Sequence, residues 1–260
     1  MGSGLRFGLM CIGLAVCAFM QSGCACSCSS EQAIFRETKL IEAMHQTGSA
    51  LDVEADNGGI IVKKGGDGQV SIRADFRCTT AERLAAVRAT AERRSDGTLV
   101  VRAVWPEGRR SNEGCGFVII MPEAKGLKLA TNNGGIITDG LCGDAHLRTA
   151  NGGIDITRHD GPIDAETRNG GIKIAGAAHP MQLRTTNGGI EVELARGFAG
   201  ELDLRTGNGV VAINGGPVRY VERSRGSVRA VVNDGASPSR LRTSNGGIVV
   251  KVEEVESGGA

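Results

Sequence analysis

The sequence predicts an all-β protein, a single-stranded β-solenoid with coils of about 18 residues and one short helix inserted near its N-terminal end. The first observation is a repeated Asn-Gly-Gly-Ile motif, whose copies from Asn133 to Asn187 follow one another at a constant interval. A fixed period of this kind is typical of stacked repeats. The second observation is alternation, because Leu and Thr before the Asn and Ile after it would share one face of two strands. The motif begins at Asn57, Asn133, Asn151, Asn169, Asn187 and Asn245.

Each Asn-Gly step is predicted to form the tight turn between the two strands of a coil. Gly has no Cβ and Asn tolerates the left-handed region, so the pair can supply the positive φ angles of such a turn. In stacked coils the Asn side chains would lie ~4.8 Å apart and hydrogen-bond along the axis as a ladder. A β-hairpin also suits the local pattern, which leaves a hairpin-built sandwich or barrel as the alternative fold.

Two weaker copies extend the series. Residues 204–209 continue it, with Asn208 slightly later than the period would place it after Asn187, and residues 221–228 supply a degenerate turn at Arg225. The sequence therefore predicts seven consecutive coils from Asn133 onward. Composition agrees, because 40 Gly beside six Phe, one Trp and one Tyr suit many tight corners around a thin aliphatic core.

The N-terminus resembles the signal of a bacterial lipoprotein. Arg6 precedes an apolar run at residues 9–20, which has the length of a signal-peptide core and is too short for a stable membrane span. Ser22 and Gly23 then precede Cys24, as small residues do before the lipidated Cys of a lipobox.

This resemblance implies a signal peptide at residues 1–23, a lipid on Cys24, and a tether and lead-in at residues 24–48. Gln21 departs from the aliphatic residue usual three places before the cleavage site. Ala25 after the Cys implies the outer membrane rather than the inner one. The alternative is an ordinarily cleaved, secreted protein.

The stretch between the first motif and the regular series has a different pattern. Residues 69–77 and 99–105 alternate like strands, whereas residues 80–94 are rich in Ala, Glu and Arg with apolar residues at helical offsets. We expect one short amphipathic helix over about 80–94 that covers the N-terminal end or side of the solenoid, where unpaired strand edges would invite aggregation. A docking helix for a partner is the alternative. The whole solenoid domain is expected at residues 49–256.

Three cysteines fall within the expected solenoid. Cys78 follows Asn57, and Cys115 precedes Asn133, by close to one coil length, so a disulfide could join them near the Asn corner of adjacent coils. Cys142 would then be unpaired among the three. The four histidines have no companion at metal-ligand spacing, and the sequence indicates neither a metal site nor a cofactor. They are His45, His146, His159 and His179.

Residues 51–252 resemble the putative-adhesin β-solenoid family of bacterial envelope proteins, a domain of unknown function. The likeness rests on the first Asn-Gly-Gly-Ile, the inserted helix, the strand-Pro motif at residues 118–122 and the Asn-Gly-Gly repeats that follow. It implies the solenoid fold and an envelope location, and it brings no catalytic residues.

Polysaccharide-cleaving β-helix enzymes place carboxylates on one outer face, which draws attention to four acidic residues. They are Asp155, Asp160, Asp164 and Glu166. Hydrolysis needs two carboxylates about 5 to 9 Å apart, but the equivalent positions one coil later are not acidic, which predicts a mixed, solvated surface. Calcium-binding nonapeptide repeats need a recurring turn Asp, which this chain lacks.

Outward residues three places before each Asn or its counterpart form a partly alternating charge row. They are Arg148, Glu166, Arg184, Arg205, Glu222 and Arg242. Opposite charges in such a row favour correct register, and the face could bind an anionic polymer such as peptidoglycan or lipopolysaccharide. The net charge of +1 gives no basic stripe for nucleic acid, and one Trp and one Tyr offer little for stacking on sugars.

Taken together, these patterns predict a non-enzymatic, lipid-anchored β-solenoid of the cell envelope that serves as a structural or interaction module. Its expected partners are the membrane, through the N-terminal lipid, and an unknown envelope protein or anionic polymer. Two alternatives stay open: a secreted enzyme acting on polysaccharide, and an accessory protein that regulates the envelope-stress response.

Overall fold

Two large β-sheets share one apolar core in the computed structural model, which describes residues 34–66 and 68–253. These described residues are all-β apart from one short helix. The predicted signal peptide and Cys24 lie outside the described residues.

The middle of the chain, residues 126–194, forms a central stack in which each repeat contributes one strand to each sheet. Its strands are β8 (Gly126–Asn133), β9 (Ile136–Asp139), β10 (Asp144–Asn151), β11 (Ile154–Thr157), β12 (Ile163–Asn169), β13 (Ile172–Ala177), β14 (Met181–Asn187) and β15 (Ile190–Leu194). The even-numbered strands lie side by side in sheet B and the odd-numbered ones in sheet A.

Neighbouring repeats of the central stack pair in parallel with a constant offset of one repeat, for example Leu147 opposite Ala165 and Ile154 opposite Ile172. Apolar residues and Thr point inward along each strand and are buried, while the residues between them face outward. The alternation expected from the sequence is therefore present on both sides of the Asn turn.

The C-terminal part departs from chain order. Its strands are β16 (Gly200–Asn208), β17 (Val211–Gly215), β18 (Val218–Arg223), β19 (Ser227–Val232), β20 (Pro238–Asn245) and β21 (Ile248–Val252). Strands β20 and β21 lie between the last repeat of the central stack and the repeat made by β16 and β17. The chain thus skips one position, reaches the end of the stack, and returns to fill the gap.

This arrangement corrects the prediction of seven consecutive coils. Residues 221–228 form no coil, because β18 and β19 are an antiparallel hairpin that extends sheet B beyond β16. The physical reason lies in the motif: the complete copy in β20 and β21 fits between two neighbours, whereas the incomplete Asn-Gly-Val copy at residues 208–210 stands where sheet A ends.

The N-terminal part also departs from chain order. Its elements are β1 (Phe35–Met44), β2 (Leu51–Ala55), β3 (Ile60–Lys64), β4 (Gln69–Cys78), α1 (Ala81–Ala86), β5 (Arg88–Arg93), β6 (Leu99–Val104) and β7 (Gly114–Met121). Strands β2 and β3 pair with β8 and β9, the first repeat of the central stack. On their other edges, β2 pairs with β6 and β3 pairs with β7. Antiparallel strands then finish both sheets, with β4 and β1 in sheet A and β5 in sheet B.

The expected tether at residues 24–48 is partly folded, since β1 (Phe35–Met44) lies within it. The inward side chains of Ile41 and Ala43 pack against the core and oppose the buried Ile72 and Val70 of β4. This apolar contact explains why the lead-in belongs to the domain.

The inserted helix is shorter than the predicted 80–94. Thr80 caps its N-terminus by accepting a hydrogen bond from the backbone N–H of Arg83. The helix ends because Val87 is extended and fully buried. Residues 88–93 form β5, whose pairing satisfies the edge of β6. Strands β1 and β5, rather than the helix, therefore cover the exposed edges at this end.

Candidate functional site

The seven Asn side chains form one continuous ladder. Each Nδ2 donates to the Oδ1 of the preceding Asn in space, over 2.5–2.8 Å. The spatial order is Asn57, Asn133, Asn151, Asn169, Asn187, Asn245 and Asn208. At the N-terminal end Asn57 donates to the carbonyls of Ser111 and Glu113, which extends the bonded row beyond the motif itself.

A second row of hydrogen bonds lies inside the same corner. The Thr two places before an Asn donates to the carbonyl of the first Gly in the preceding repeat, as Thr167 does to Gly152 over 2.8 Å. The equivalent donors are Thr131, Thr149, Thr185, Thr206 and Thr243. Thr and Asn recur together because both side chains bond to the neighbouring repeat, the Thr from inside the corner and the Asn from outside it.

The first Gly of each motif is required by close packing. A Cβ on Gly170 would lie 2.0 Å from the carbonyl oxygen of Gly152, and the other first glycines are within 2.0–2.3 Å of the preceding strand's carbonyl oxygen. Such a contact is far below van der Waals distance. None of the seven Asn has a positive φ in the described chain, so the left-handed role expected for Asn is wrong.

The second Gly of each motif clears the following repeat instead. A Cβ on Gly171 would lie 3.3 Å from the carbonyl oxygen of Gly189, and the other interior second glycines give 3.2–3.4 Å. The repeat of β16 and β17 has no following neighbour in sheet A, and there the position is Val210 with 61 % exposure. This position is therefore Gly wherever another strand follows in sheet A, and it carries a side chain where no strand follows.

The row of second glycines forms the floor of a groove on the outer face of sheet A, here called the glycine groove. Its volume is about 730 Å³. It crosses five strands, a length of roughly 20 Å at the usual strand spacing. Its outward side chains alternate in charge at Asp155, Lys173 and Glu191, with aliphatic Ile137 and Val249 on either side. This long, open surface suits an extended chain.

The predicted charge row on sheet B is only partly correct. Arg148, Glu166 and Arg184 lie in register on neighbouring strands, but β20 comes next, so Arg242 and then Arg205 follow. Glu222 does not belong to the row, because it lies in β18 opposite Arg229. Three Arg therefore stand side by side where the sequence suggested partial alternation.

Asp203 neutralises part of this basic cluster. Its carboxylate accepts two hydrogen bonds from Arg242, at 2.6 and 2.9 Å, and one from Arg205 at 3.1 Å. The hydrogen bonds from Arg242 hold the pKa of Asp203 at about 2. This carboxylate stays ionised at neutral pH and remains bound to its two partners.

The four acidic residues considered for polysaccharide cleavage do not form one site. Asp155 faces outward from sheet A, whereas Asp164 and Glu166 face outward from sheet B. Asp160 lies between β11 and β12, 2.7 Å from His179. Asp164 and Glu166 are both bound by Arg148, at 2.8 and 3.1 Å, so the two carboxylates share one ion-pair cluster.

The expected disulfide is absent, because Cys78 and Cys115 are both free, buried thiols. Cys115 pairs with Phe76, which leaves Cys78 two residues further along β4. Diagonal neighbours across antiparallel strands are ~7–8 Å apart, too far for the bond. Burial raises the pKa of both thiols, which makes them poor nucleophiles. Cys142, the third described Cys, is also free.

One of the described histidines is buried within the fold. His159 is buried and donates from Nε2 to the carbonyl of Gly143 at 2.8 Å, and burial lowers its pKa. Residues 34–66 and 68–253 contain no group of three or more His, Cys, Asp or Glu placed to hold a metal ion. Across the same residues, no helix has the length and apolar character of a membrane span.

Sequence reasoning missed a buried ion pair at the N-terminal end. Glu113 is fully buried and its carboxylate accepts hydrogen bonds from Arg83, Thr79 and the backbone N–H of Arg110. The Arg83 guanidinium keeps the pKa of Glu113 at about 2. Arg83 also donates to the carbonyls of Pro106 and Gly108, which ties α1 to the β6–β7 connection. No spacing rule in the sequence links residues 83 and 113.

Comparisons with known proteins give only distant structural matches. No family model matches the sequence, and no curated protein matches it. A "putative cell adhesion protein" from Clostridium sporogenes is 12 % identical, with 84 % of this chain and 100 % of that chain covered and a TM-score of 0.43. A "putative adhesin" from Bacteroides fragilis is also 12 % identical, with 84 % and 97 % covered and a TM-score of 0.42.

A "putative lipid binding protein" from Parabacteroides distasonis is similar at 12 % identity, with 84 % and 97 % covered and a TM-score of 0.29. Similarity at this level does not assign a function to the present chain.

Proposed function

We propose that this chain is a non-enzymatic, lipid-anchored β-solenoid of the bacterial cell envelope that serves as an interaction module. The observation that carries the proposal is the glycine groove, which has a volume of about 730 Å³ and continues across five repeats. Its lining is glycine backbone, aliphatic side chains and alternating charges. A surface of this kind can hold an extended segment along its length but offers no nucleophile beside a base.

The two rows of corner hydrogen bonds support the solenoid form in this proposal. Because the Asn and Thr side chains bond to the neighbouring repeat, each repeat supports only those on either side of it. Such a stack is rigid along its axis and presents the same outward position once per repeat. A partner with a repeating or extended structure would meet several equivalent contacts on the groove.

The enzymatic alternative receives no support from the acidic residues. Of the four acidic residues considered, only Asp164 and Glu166 face outward from the same sheet, and the two share a single guanidinium. A variant with Asp164→Asn should therefore leave the purified chain as inactive on peptidoglycan and pectin as the unaltered protein. Measurable hydrolysis that is lost in this variant would favour the enzyme instead.

Anchoring can be tested through Cys24. Changing Cys24→Ala should move the protein out of the detergent-soluble membrane fraction and abolish labelling by a palmitate analogue, since stable attachment requires the lipid. The matched control is Cys26→Ala in the expected tether, which should keep both properties. Unchanged labelling of the Cys24 variant would rule out lipid attachment at this residue.

The groove can be tested in intact cells with a photocrosslinking residue at Asp155. We expect adducts that disappear when Lys173→Trp fills the adjacent part of the groove and that persist with Thr186→Trp on the outer face of sheet B. Both positions are exposed on strands, so neither change strains the backbone. Digestion with protease or with muramidase then identifies the adduct as protein or glycan. Identical adducts in the two Trp variants would contradict a role for the groove.

A further inference from the structure

A second concave surface lies on the outer face of sheet B and is here called the arginine cleft. It has a volume of about 250 Å³ and is formed by outward residues of β10, β12, β14 and β20. Four Arg, two carboxylates and one Gln contribute to its lining. Several of these charges are already paired within the protein itself.

Both carboxylates of the cleft are engaged by one Arg. Arg148 donates twice to Asp164, at 2.8 and 3.1 Å, and lies 3.1 Å from Glu166. Arg242 is bound by Asp203, which lies outside the cleft. One guanidinium balances only one of these two negative charges, but the lining as a whole keeps an excess of positive charge, with four Arg against two carboxylates.

Arg184 and Arg240 are the two remaining cations of the cleft. Neither guanidinium has a hydrogen bond or an ion pair with any residue in the described part of the chain. They extend from β14 and β20, which are adjacent strands, and Gln182 is paired in register with Arg240. Two unpaired guanidinium groups and an amide thus share one depression.

The inverted strand order creates this arrangement. If the repeats followed chain order, β16 would lie beside β14 and would place Asp203 next to Gln182. The return of the chain instead inserts β20, which brings Arg240 and Arg242 beside Gln182 and Arg184. Asp203 lies on the next strand, in register with Arg240, but its carboxylate is bound to Arg242 and Arg205. The cleft therefore carries a local excess of positive charge although the whole chain is nearly neutral.

We propose that the arginine cleft binds an oxyanion group of an acidic polymer, through Arg184 and Arg240, with Gln182 as an additional hydrogen-bond donor. A guanidinium presents a planar fork of N–H donors that matches a carboxylate or a phosphate. Further Arg residues along neighbouring strands would meet further charges of the same polymer. The inference rests on the proposed interaction role and names the ligand chemistry of the sheet opposite the glycine groove.

The test is titration of the purified full-length chain, in detergent, with two probes: linear polyphosphate and polygalacturonate. Changing Arg184→Gln together with Arg240→Gln should weaken binding by about tenfold or more and reduce its salt dependence. The matched control is Arg219→Gln with Arg225→Gln, which removes two exposed Arg of the β18–β19 hairpin and the same net charge. That control should change affinity by less than about threefold.

The Arg184→Lys and Arg240→Lys double variant separates fork geometry from charge alone, and we expect its affinity to lie between those of the unaltered chain and the Gln variant. Binding of polyphosphate alone identifies phosphate as the ligand group, binding of polygalacturonate alone identifies carboxylate, and binding of both supports the shared oxyanion chemistry. Equal losses in the cleft and hairpin variants, or no binding of either probe, would overturn the inference. Either result leaves the crosslinking test of the glycine groove unaffected, so the two failures are distinguishable.

Discussion

The central stack and the two ends of the molecule use the same contacts with different chain paths. Within the central stack, Asn169 bonds to Asn151, 18 residues away, over 2.8 Å. At the C-terminal end, Asn245 bonds to Asn187 over the same 2.8 Å although 58 residues separate them. The corner hydrogen bonds are therefore the same whether the neighbouring repeat is near or far along the chain. Chain order decides only how long the connection must be.

The ends differ from each other in how they finish the sheets. The N-terminal end adds antiparallel strands to both sheets and fixes α1 with the buried Arg83–Glu113 pair. The C-terminal end adds the β18–β19 hairpin to sheet B alone, which leaves β17 at the edge of sheet A. At the N-terminal end, here called the closed end, both sheets therefore finish in antiparallel strands. At the C-terminal end only sheet B does.

Crosslinking would give the largest effect, because the strand order predicts a result that is all or none. Thr186 and Ser244 lie between two register pairs of β14 and β20, Thr185 with Thr243 and Asn187 with Asn245. Changing Thr186→Cys with Ser244→Cys should give an intramolecular disulfide under mild oxidation, read by gel mobility and peptide mass.

The comparison pair for that experiment is Arg184→Cys with Arg205→Cys, two outward positions that would be register partners if the repeats followed chain order. In the structure β20 separates these two positions. A disulfide in this second variant, and none in the first, would show that the ends follow chain order after all.

The next largest effect is on stability and is predicted from the space that a Cβ would have at the two glycines of the motif. Gly170→Ala places a Cβ 2.0 Å from backbone that cannot move without separating two strands, so we expect a loss of more than about 4 kcal/mol in the free energy of unfolding or failure to fold. Gly171→Ala, with 3.3 Å available, should cost about 1 to 3 kcal/mol. Urea unfolding measures both, and equal losses would contradict the separate roles of the two glycines.

The buried ion pair tests the closed end. Glu113→Gln leaves Arg83 buried without its counter-ion and should cost about 3 to 5 kcal/mol, whereas Glu92→Gln on exposed β5 should cost little. The folded pKa of about 2 lies below the ordinary value of 4.5. The stabilisation is therefore complete above pH 4.5 and is lost as the pH falls towards 2. A Glu113→Gln chain that loses as much stability as the unaltered one over this range would refute the assignment.

The Asn ladder predicts the smallest effect and distinguishes interior from terminal positions. Asn169→Ala and Asn245→Ala should each cost about 1 kcal/mol, because each removes two exposed hydrogen bonds. Asn208→Ala removes only its bond to Asn245 and should cost less. Thermal unfolding of the three variants checks the order. A loss at Asn245 as small as that at Asn208 would place both at the end of the ladder.

The repeated corner could be predicted from sequence because its contacts recur at fixed offsets. Leu147, Thr149 and Ile154 face the core as expected, and the Asn residues are stacked. The strand order could not be predicted in the same way, since identical corners bond equally well to any identical neighbour. The identity of residue 210 was the available signal: Val in place of Gly indicates that no strand follows.

The candidate sites were less accessible to sequence reasoning. The glycine groove is a consequence of packing between repeats. The glycines that form its floor were predicted from the sequence only as part of a turn. The arginine cleft depends on Arg240 standing beside Gln182, although a hairpin and a whole repeat separate the two along the chain. The helix expected at residues 80–94 was too long because helical offsets alone ignore the free edge of β6, which binds residues 88–93 as a strand.

Val210 also bears on how large an assembly this chain can build. A row of identical corners has no intrinsic end, and an open row of strands can in principle recruit a second molecule and grow into a fibre. At the equivalent glycines a Cβ would lie only 3.2–3.4 Å from the carbonyl oxygen of the following repeat, so the larger side chain of Val210 disfavours the addition of a further repeat. Copies of the repeated unit inserted before it would lengthen the molecule, while the last corner would still disfavour growth beyond it.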